Sequence, residues 1–459
     1  MCGSSIIKGL AESSCGTAIP PDEFFFGSTG FFRTPCLEIQ RAGVYTVGRS
    51  NSFSRGDSVK RLLTVLLVFA LLIPAAAGNA EDLDEKWMQH AFQTRKVVGG
   101  AVIVSRYGET VFSYTYGSKV AQKRVPVTLD TCFRIASVTK LVTAIGLMQL
   151  YDRGYYRLDD PINRLLPFRV VNTTCKKDQI TVRQVLSHTT GVKQTQSTQI
   201  NWDYVSARST EGLFEKNSRP GRTYEYSNAN GALFGALIEA LTGQSVNTYM
   251  AQNVFSPLDI NAAYTARLLP DPSDLSNQMN KKGINIMSPE RAMEQQDDDT
   301  CDPAEHLTYT VGGLYISAEG LNRLGMLLCN EGWLDGKRIL SPYTVRLMQA
   351  DQRDFDGTTV YASSPYGLGM QRVEDRHGNI WYGHQGMKEG LSSDLFYLPE
   401  KGLVVTVIAN GYLPYKEGQL VSVAIRTMEK AAETDWDRLA GRSVPAAEAE
   451  EERTGFVFH

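Results

Sequence analysis

The strongest constraint on the fold is where the β-rich runs fall. "GGAVIVSRYGETVFSYTYGS" (Gly99–Ser118) holds two β-branched and aromatic runs around Tyr107-Gly108, which reads as a hairpin. The same texture returns only after Asp351, in "NIWYGHQG", "LSSDLFYLP" and "GLVVTVIANG", joined by turns such as Pro399-Glu400-Lys401-Gly402. Between these ends the apolar spacing is helical. A helix is predicted over about Val138–Arg153, closed by Gly154, and another over Asn228–Gly243, capped by Gly243. A third follows Ser317 as N-cap, with Gly332 at its exit. Strands at both ends and helices in the middle have one economical solution: a single antiparallel sheet built from the two ends. The predicted fold class is α/β, an antiparallel sheet flanked by helices, with an inserted mainly helical subdomain. The first helix (Glu81–Lys96) and the last (Gly418–Glu433) would cover one face, and the helix after Ser137 the other. A cleft would lie between sheet and subdomain.

The chain has 459 residues, 42 % of them hydrophobic and 21 % charged, enough for a sizeable core. A formal charge of −3, with no basic stripe interleaved with aromatics, excludes a nucleic-acid partner. Residues 1–80 read as a leader. Within it "VKRLLTVLLVFALLIPAAAGNA" (Val59–Ala80) runs basic, then apolar, then small, the layout of a signal peptide. Its position far from Met1 leaves two readings open: Val59 is the true start, or Leu62–Ala77 stays as an uncleaved anchor. The expected location is periplasmic or secreted, with membrane contact only if the segment is uncleaved. The folded domain is placed at 81–434, and 435–459, with "AAEAEEE", reads as an acidic disordered tail. Residues 266–305 read as polar loop. Cys132, Cys175, Cys301 and Cys329 follow the leader, either as free thiols or in one or two bridges. No Cys/His spacing suggests a metal.

"FRIASVTKLVTAIGLMQL" sets Ser137 and Lys140 one helical turn apart at the head of an apolar helix. A serine hydroxyl needs a base, and a lysine desolvated beside it can serve. Alone, the pair also reads as a helix cap and a surface cation, and "SIIK" (Ser5–Lys8) repeats the spacing in the leader. "YSN" (Tyr226-Ser227-Asn228) sits at an element boundary, where Tyr226 offers proton transfer and Asn228 an amide contact. "GHQG" (Gly383–Gly386) ends a strand-like run whose edge can pair with an amide substrate. Lys388-Glu389-Gly390 offers a rival register. His188 in "SHTTG" reads as a loop-fixing residue, because no GxSxG elbow accompanies it.

In order along the chain, these motifs and their flanks ("RLDDPINRLLP", "ITVRQVLSHTTGV", "PGRTYEYSNANGALFGALIEALTG", "GGLYISAEGLNRLGMLL", "YGLGM") resemble the serine β-lactamase-related superfamily. The branch resembled contains class C β-lactamases, D-alanyl-D-alanine carboxypeptidases and esterases, over about residues 85–432. The resemblance implies a β-lactamase/transpeptidase-like fold and no cofactor. It implies Ser137 as the acylated nucleophile, Lys140 and Tyr226 as the proton-transfer pair, and Asn228 on the substrate amide. His384-Gln385-Gly386 becomes the substrate-binding strand, with the oxyanion on the N–H groups of Ser137 and Met387. Gln385 stands where the family usually has Thr or Ser, and His384 where efficient β-lactamases have Lys. Both departures fit a peptidase-like or esterase-like member. The expected function is an exported serine hydrolase acting through an acyl-enzyme on a D-alanyl peptide, small ester or β-lactam. In it Tyr226, helped by Lys140, takes the Ser137 proton. The alternative is a non-hydrolytic penicillin-binding-like receptor of the same fold.

Overall fold

A computed structural model describes residues 82–440, apart from internal stretches of which 194–212, 353–365 and 412–418 are the longest. The chain divides into two units at Ala75/Ala76, and everything described belongs to the second. The leader, its apolar run and the residues beyond 440 lie outside the described residues.

In chain order the elements that build the site are α1 (Glu85–Thr94), β1 (Gly99–Arg106), β2 (Glu109–Val120), β3 (Val125–Pro126), β4 (Cys132–Arg134) and α2 (Val138–Asp152). Then come α3 (Asn228–Thr242), α4 (Tyr309–Gly312), β5 (Tyr315–Ser317) and α5 (Ala318–Cys329). The last are β6 (Gln371–Glu374), β7 (Ile380–Lys388), β8 (Leu391–Leu398), β9 (Leu403–Asn410), α6 (Gln419–Glu433) and α7 (Trp436–Leu439).

The sheet is assembled from the two chain ends, as the β-rich runs require. Its order is β6-β7-β8-β9-β1-β2-β3. The seam is β1 against β9, antiparallel from Gly99 opposite Asn410 to Arg106 opposite Leu403. The hairpin between β1 and β2 turns on Tyr107 (φ 51°) and Gly108 (φ 86°), both left-handed, which matches the twist of the strands it joins. β1, β8 and β9 are buried on both faces; β9 reads accordingly as a nearly continuous apolar run, while β8 also buries Ser392, Ser393 and Asp394.

One face carries α1, α6 and α7. Met88 and Phe92 pack there with Val102, Val104, Val405, Met428 and Trp436. The other face is covered chiefly by α5, more than by the helix after Ser137. A Cβ on Gly325 of α5 would stand 2.4 Å from Val404 Cγ1, so the helix lies directly on β9. Ser105 of β1 donates to Asn322 Oδ1 of α5 at 2.5 Å, tying the same layers together. α2 lies deeper. Every residue from Val138 to Leu150 is buried, so it is a core helix apolar on all sides rather than an amphipathic one.

Two expectations are corrected. The predicted tail begins too early: Asp435 caps α7, Trp436 is buried against the sheet-side core, and Arg106 pairs with Asp437 at 2.8 Å. One large aromatic residue outweighs the polar composition around it. Residues 266–305 are not simply a loop. They contain a small hairpin (Gln278–Met279 with Asn285–Met287) and a helix (Pro289–Glu294). Their sparse apolar residues, Leu269, Leu275 and Ala292, form a satellite core with Cys132 and Tyr315. Cys132, Cys175, Cys301 and Cys329 are free thiols. Burial pushes Cys132 and Cys329 up to about 12, which makes them unreactive. Among the described residues no helix is long and apolar enough to cross a membrane, and no acidic, His or Cys group is arranged to hold a metal.

Trp436→Ala is expected to cost about 3 kcal/mol of stability through the cavity it leaves. A shift in the urea midpoint measures it, and an unchanged midpoint would show that α7 merely rests on the surface.

Candidate active site

Ser137 begins α2 directly after a sharp turn. Ala136 sits at φ +44°, a left-handed position that costs a non-glycine residue about 1 kcal/mol. The turn separates Ser137 from β4 and aims its side chain out of the core. The Ser137 hydroxyl makes no capping bond to α2, so the helix-cap reading fails.

Lys140 follows one turn later and is fully buried. Its Nζ donates to Ser137 Oγ at 3.2 Å, Asn228 Oδ1 at 3.0 Å and Val311 O at 2.7 Å. The three acceptors come from α2, α3 and α4, so the amine is the point where these elements meet. Burial, with no carboxylate to offset it, brings the amine down to about 7. The stem reaches that point because residue 231 is glycine: a Cβ there would lie 2.5 Å from Lys140 Cε.

Tyr226 lies over the amine, with Lys140 Nζ 5.2 Å from its ring centroid. Its ring stacks on His188 at 4.5 Å. Burial pushes the phenol above its ordinary range, with Ser137 drawing it back and Tyr224 adding to the rise. The Tyr226 hydroxyl has no hydrogen-bond partner of good geometry among the described residues, and Ser137 is the polar group it faces. Asn228 is the first residue of α3, while Ser227 is the cap, its Oγ accepting from Ala229 N at 3.2 Å. His188 fixes this corner. Its Nδ1 accepts from Ser227 N at 3.1 Å and lies 3.3 Å from Asn230 Nδ2. Burial keeps the ring neutral, well below the usual histidine range.

The edge of β7 closes the site. A Cβ on Gly386 would stand 2.4 Å from Ile135 O and 2.9 Å from Ser137 N, so only glycine lets the strand approach the serine backbone. Gln385 N–H points out of the sheet, where it donates to Gln371 Oε1 at 2.9 Å. The strand period of two puts Met387 N–H on that same edge, beside Ser137 N–H, which has no acceptor of its own among the described residues.

Two predicted substrate contacts are corrected. His384 is buried rather than exposed to a ligand. Its Nδ1 lies 2.6 Å from Gln385 O and must donate to that carbonyl, so Nε2 accepts from Tyr366 Oη at 3.1 Å. Burial first, then the Lys140 charge, bring the ring down to about 3, so it offers a substrate no cation. Gln385 points to the opposite face of the sheet, where it lines a small cavity with Asp394, Phe396, Ala424 and Met428. Only its backbone belongs to the cleft edge. Ser137, Lys140, Tyr226, Asn228, Gly386 and Met387 are brought together. The motifs did not reveal Gly231, Val311 or Tyr366. A glycine inside a helical pattern was the available signal for the first; a backbone carbonyl gives none.

This arrangement of a seven-stranded sheet, a core helix headed by Ser137 and a helical subdomain over it is the β-lactamase/transpeptidase-like fold. The family described as Beta-lactamase matches residues 85–426, and the chain belongs to it. Penicillin-binding protein 4 of Amycolatopsis lactamdurans is 28 % identical over 292 residues, 62 % of this chain and 74 % of that protein. Among solved structures, an octameric penicillin-binding protein homologue from Pyrococcus abyssi superposes with a TM-score of 0.61 at 21 % identity, covering 77 % of each chain. A class C beta-lactamase does so at 0.59 and 18 %, covering 75 % of this chain and 94 % of that one.

Gly231→Ala is expected to displace Lys140 and slow Ser137 labelling by a fluorophosphonate at least tenfold. An unchanged labelling rate would show that the position of the amine does not matter.

Proposed function

We propose that the chain is a serine hydrolase that cleaves ester or amide bonds through an acyl-enzyme on Ser137. The observation that carries this reading is the buried Lys140 amine, 3.2 Å from Ser137 Oγ and brought down to about 7. An amine with that affinity is partly neutral at physiological pH and can accept the serine proton, a step worth about 10²- to 10⁴-fold in rate. The division of labour therefore differs from the sequence expectation. Tyr226 is held protonated by its burial, so Lys140 is the base and the phenol relays a proton to the leaving group. Ser137 Oγ attacks the carbonyl, and its oxyanion settles between the N–H groups of Ser137 and Met387. Water then attacks the acyl-enzyme and releases the acid.

The neutral His384 supports small esters with uncharged leaving groups over substrates whose leaving group carries a carboxylate, because no charge lies under that end of the strand. The run at 59–80 supports export, and the cell fraction that holds the protein tests it. A panel of a 4-nitrophenyl ester, a D-Ala-D-Ala peptide and a chromogenic cephalosporin tests the activity. Wild type is expected to turn over the ester, and Ser137→Ala none of them. The value of kcat/KM should rise with pH through a midpoint near 7, because the active form is the amine that has lost its proton. Stable penicillin labelling without turnover of any substrate would instead mark a receptor.

A further inference from the structure

Arg134 adjoins Ile135, whose carbonyl meets Gly386, and Lys388 lies two residues beyond that glycine, so both cations belong to the same end of the cleft edge, and among the described residues neither is paired with a carboxylate. Arg134 lies on β4, three residues before Ser137. Its Nε donates to Gly312 O at 2.7 Å, next to the carbonyl that holds Lys140. This fixes the guanidinium and leaves its terminal nitrogens without a protein partner among the described residues. Lys388 ends β7. The alternation that sets Gly386 against Ser137 N sets Lys388 on the same side, two residues on. The two side chains are near enough to repel: burial of its stem, then Arg134, bring Lys388 down to about 8, so it is still charged at neutral pH. Neither forms an ion pair among the described residues, and the adjoining Glu389 reaches neither. Two like charges at one end of the cleft edge, unbalanced among the described residues, are a disposition toward an anion that arrives from outside.

The geometry also fixes which part of a substrate meets them. Tyr226, the group that protonates the leaving atom, lies 6.0 Å from His384 and 6.5 Å from Tyr366, ring to ring. The leaving group therefore departs toward the His384 end of β7. The acyl substituent extends the other way along the strand edge, toward Lys388.

We propose that the preferred substrates carry an acyl group ending in a carboxylate, which Arg134 and Lys388 hold. The cation missing at the leaving-group end is thus present at the acyl end. This rests on the serine-hydrolase reading above. The acyl transfer itself is unchanged: the anion is bound and no further bond is made or broken.

The test compares the 4-nitrophenyl half-ester of adipic acid with 4-nitrophenyl hexanoate, which differ only in the terminal carboxylate. A third substrate, 4-acetoxybenzoate, carries its anion on the leaving group. In wild type the adipoyl ester is expected to have the higher kcat/KM. The ratio of adipoyl to hexanoyl should fall at least tenfold when Arg134→Gln is combined with Lys388→Met. An unchanged ratio, or a loss confined to 4-acetoxybenzoate, overturns the proposal. Ser137-dependent hydrolysis that ignores charge would sink this inference and leave the hydrolase reading standing. Should wild type turn over no ester, calorimetric titration of Ser137→Ala with adipic acid monoanilide decides. Binding that weakens tenfold in the double variant supports the site, and equal or absent binding overturns it.

Discussion

The site depends on one amine kept out of water. Lys140 sits in a helix that is buried from Val138 to Leu150, and its three acceptors come from three different segments. Desolvation disfavours its charged form by roughly 5 kcal/mol, the equivalent of a fall from the ordinary lysine value to about 7. Hydrogen bonds to Asn228 and Val311 satisfy the group without supplying a counter-charge. An adjacent carboxylate would make the burial easier but would also hold the proton on. No such partner meets the amine among the described residues, and its proton is accordingly held only weakly.

The rest of the fold serves that placement. The seam of β1 with β9 joins the two chain ends, and β7 is held in the sheet between β6 and β8, so its unpaired stretch beyond Gly383 has a fixed position. Gly386 lets that strand press against Ser137 N, and the strand period then decides everything along the edge. Met387 N–H faces the cleft, Gln385 leaves it, His384 goes under the strand, and Lys388 emerges beyond. A neutral imidazole lies at one end, and at the other lie Arg134 and Lys388, which form no ion pair among the described residues; a lysine at position 384 would have put a charge at both ends.

Much of this was legible in the sequence, for physical reasons that can be named. The β-rich ends dictated a sheet closed between them. The Ser137–Lys140 spacing dictated a shared helix face, and Gly243 marked the end of α3, where it stands at φ +68°. What stayed hidden depended on tertiary depth. Residues 384 and 385 are neighbours in sequence but lie on opposite faces of one strand, and only the packing of α6 shows which face is which. The protonation of Tyr226 and His384 follows from burial, which a motif does not encode. Gly231 matters through a side chain from another helix, and Trp436 through a core assembled from both chain ends.

The central claim is that the Lys140 amine gives up its proton near neutrality. Nitrogen-15 NMR of the lysine side chains, with the Lys140 signal assigned by its loss in Lys140→Met, measures this directly. A titration midpoint near 7 is the expected result. A midpoint near 10, the ordinary lysine range, would contradict the account, because a permanently charged ammonium could not take the proton from Ser137.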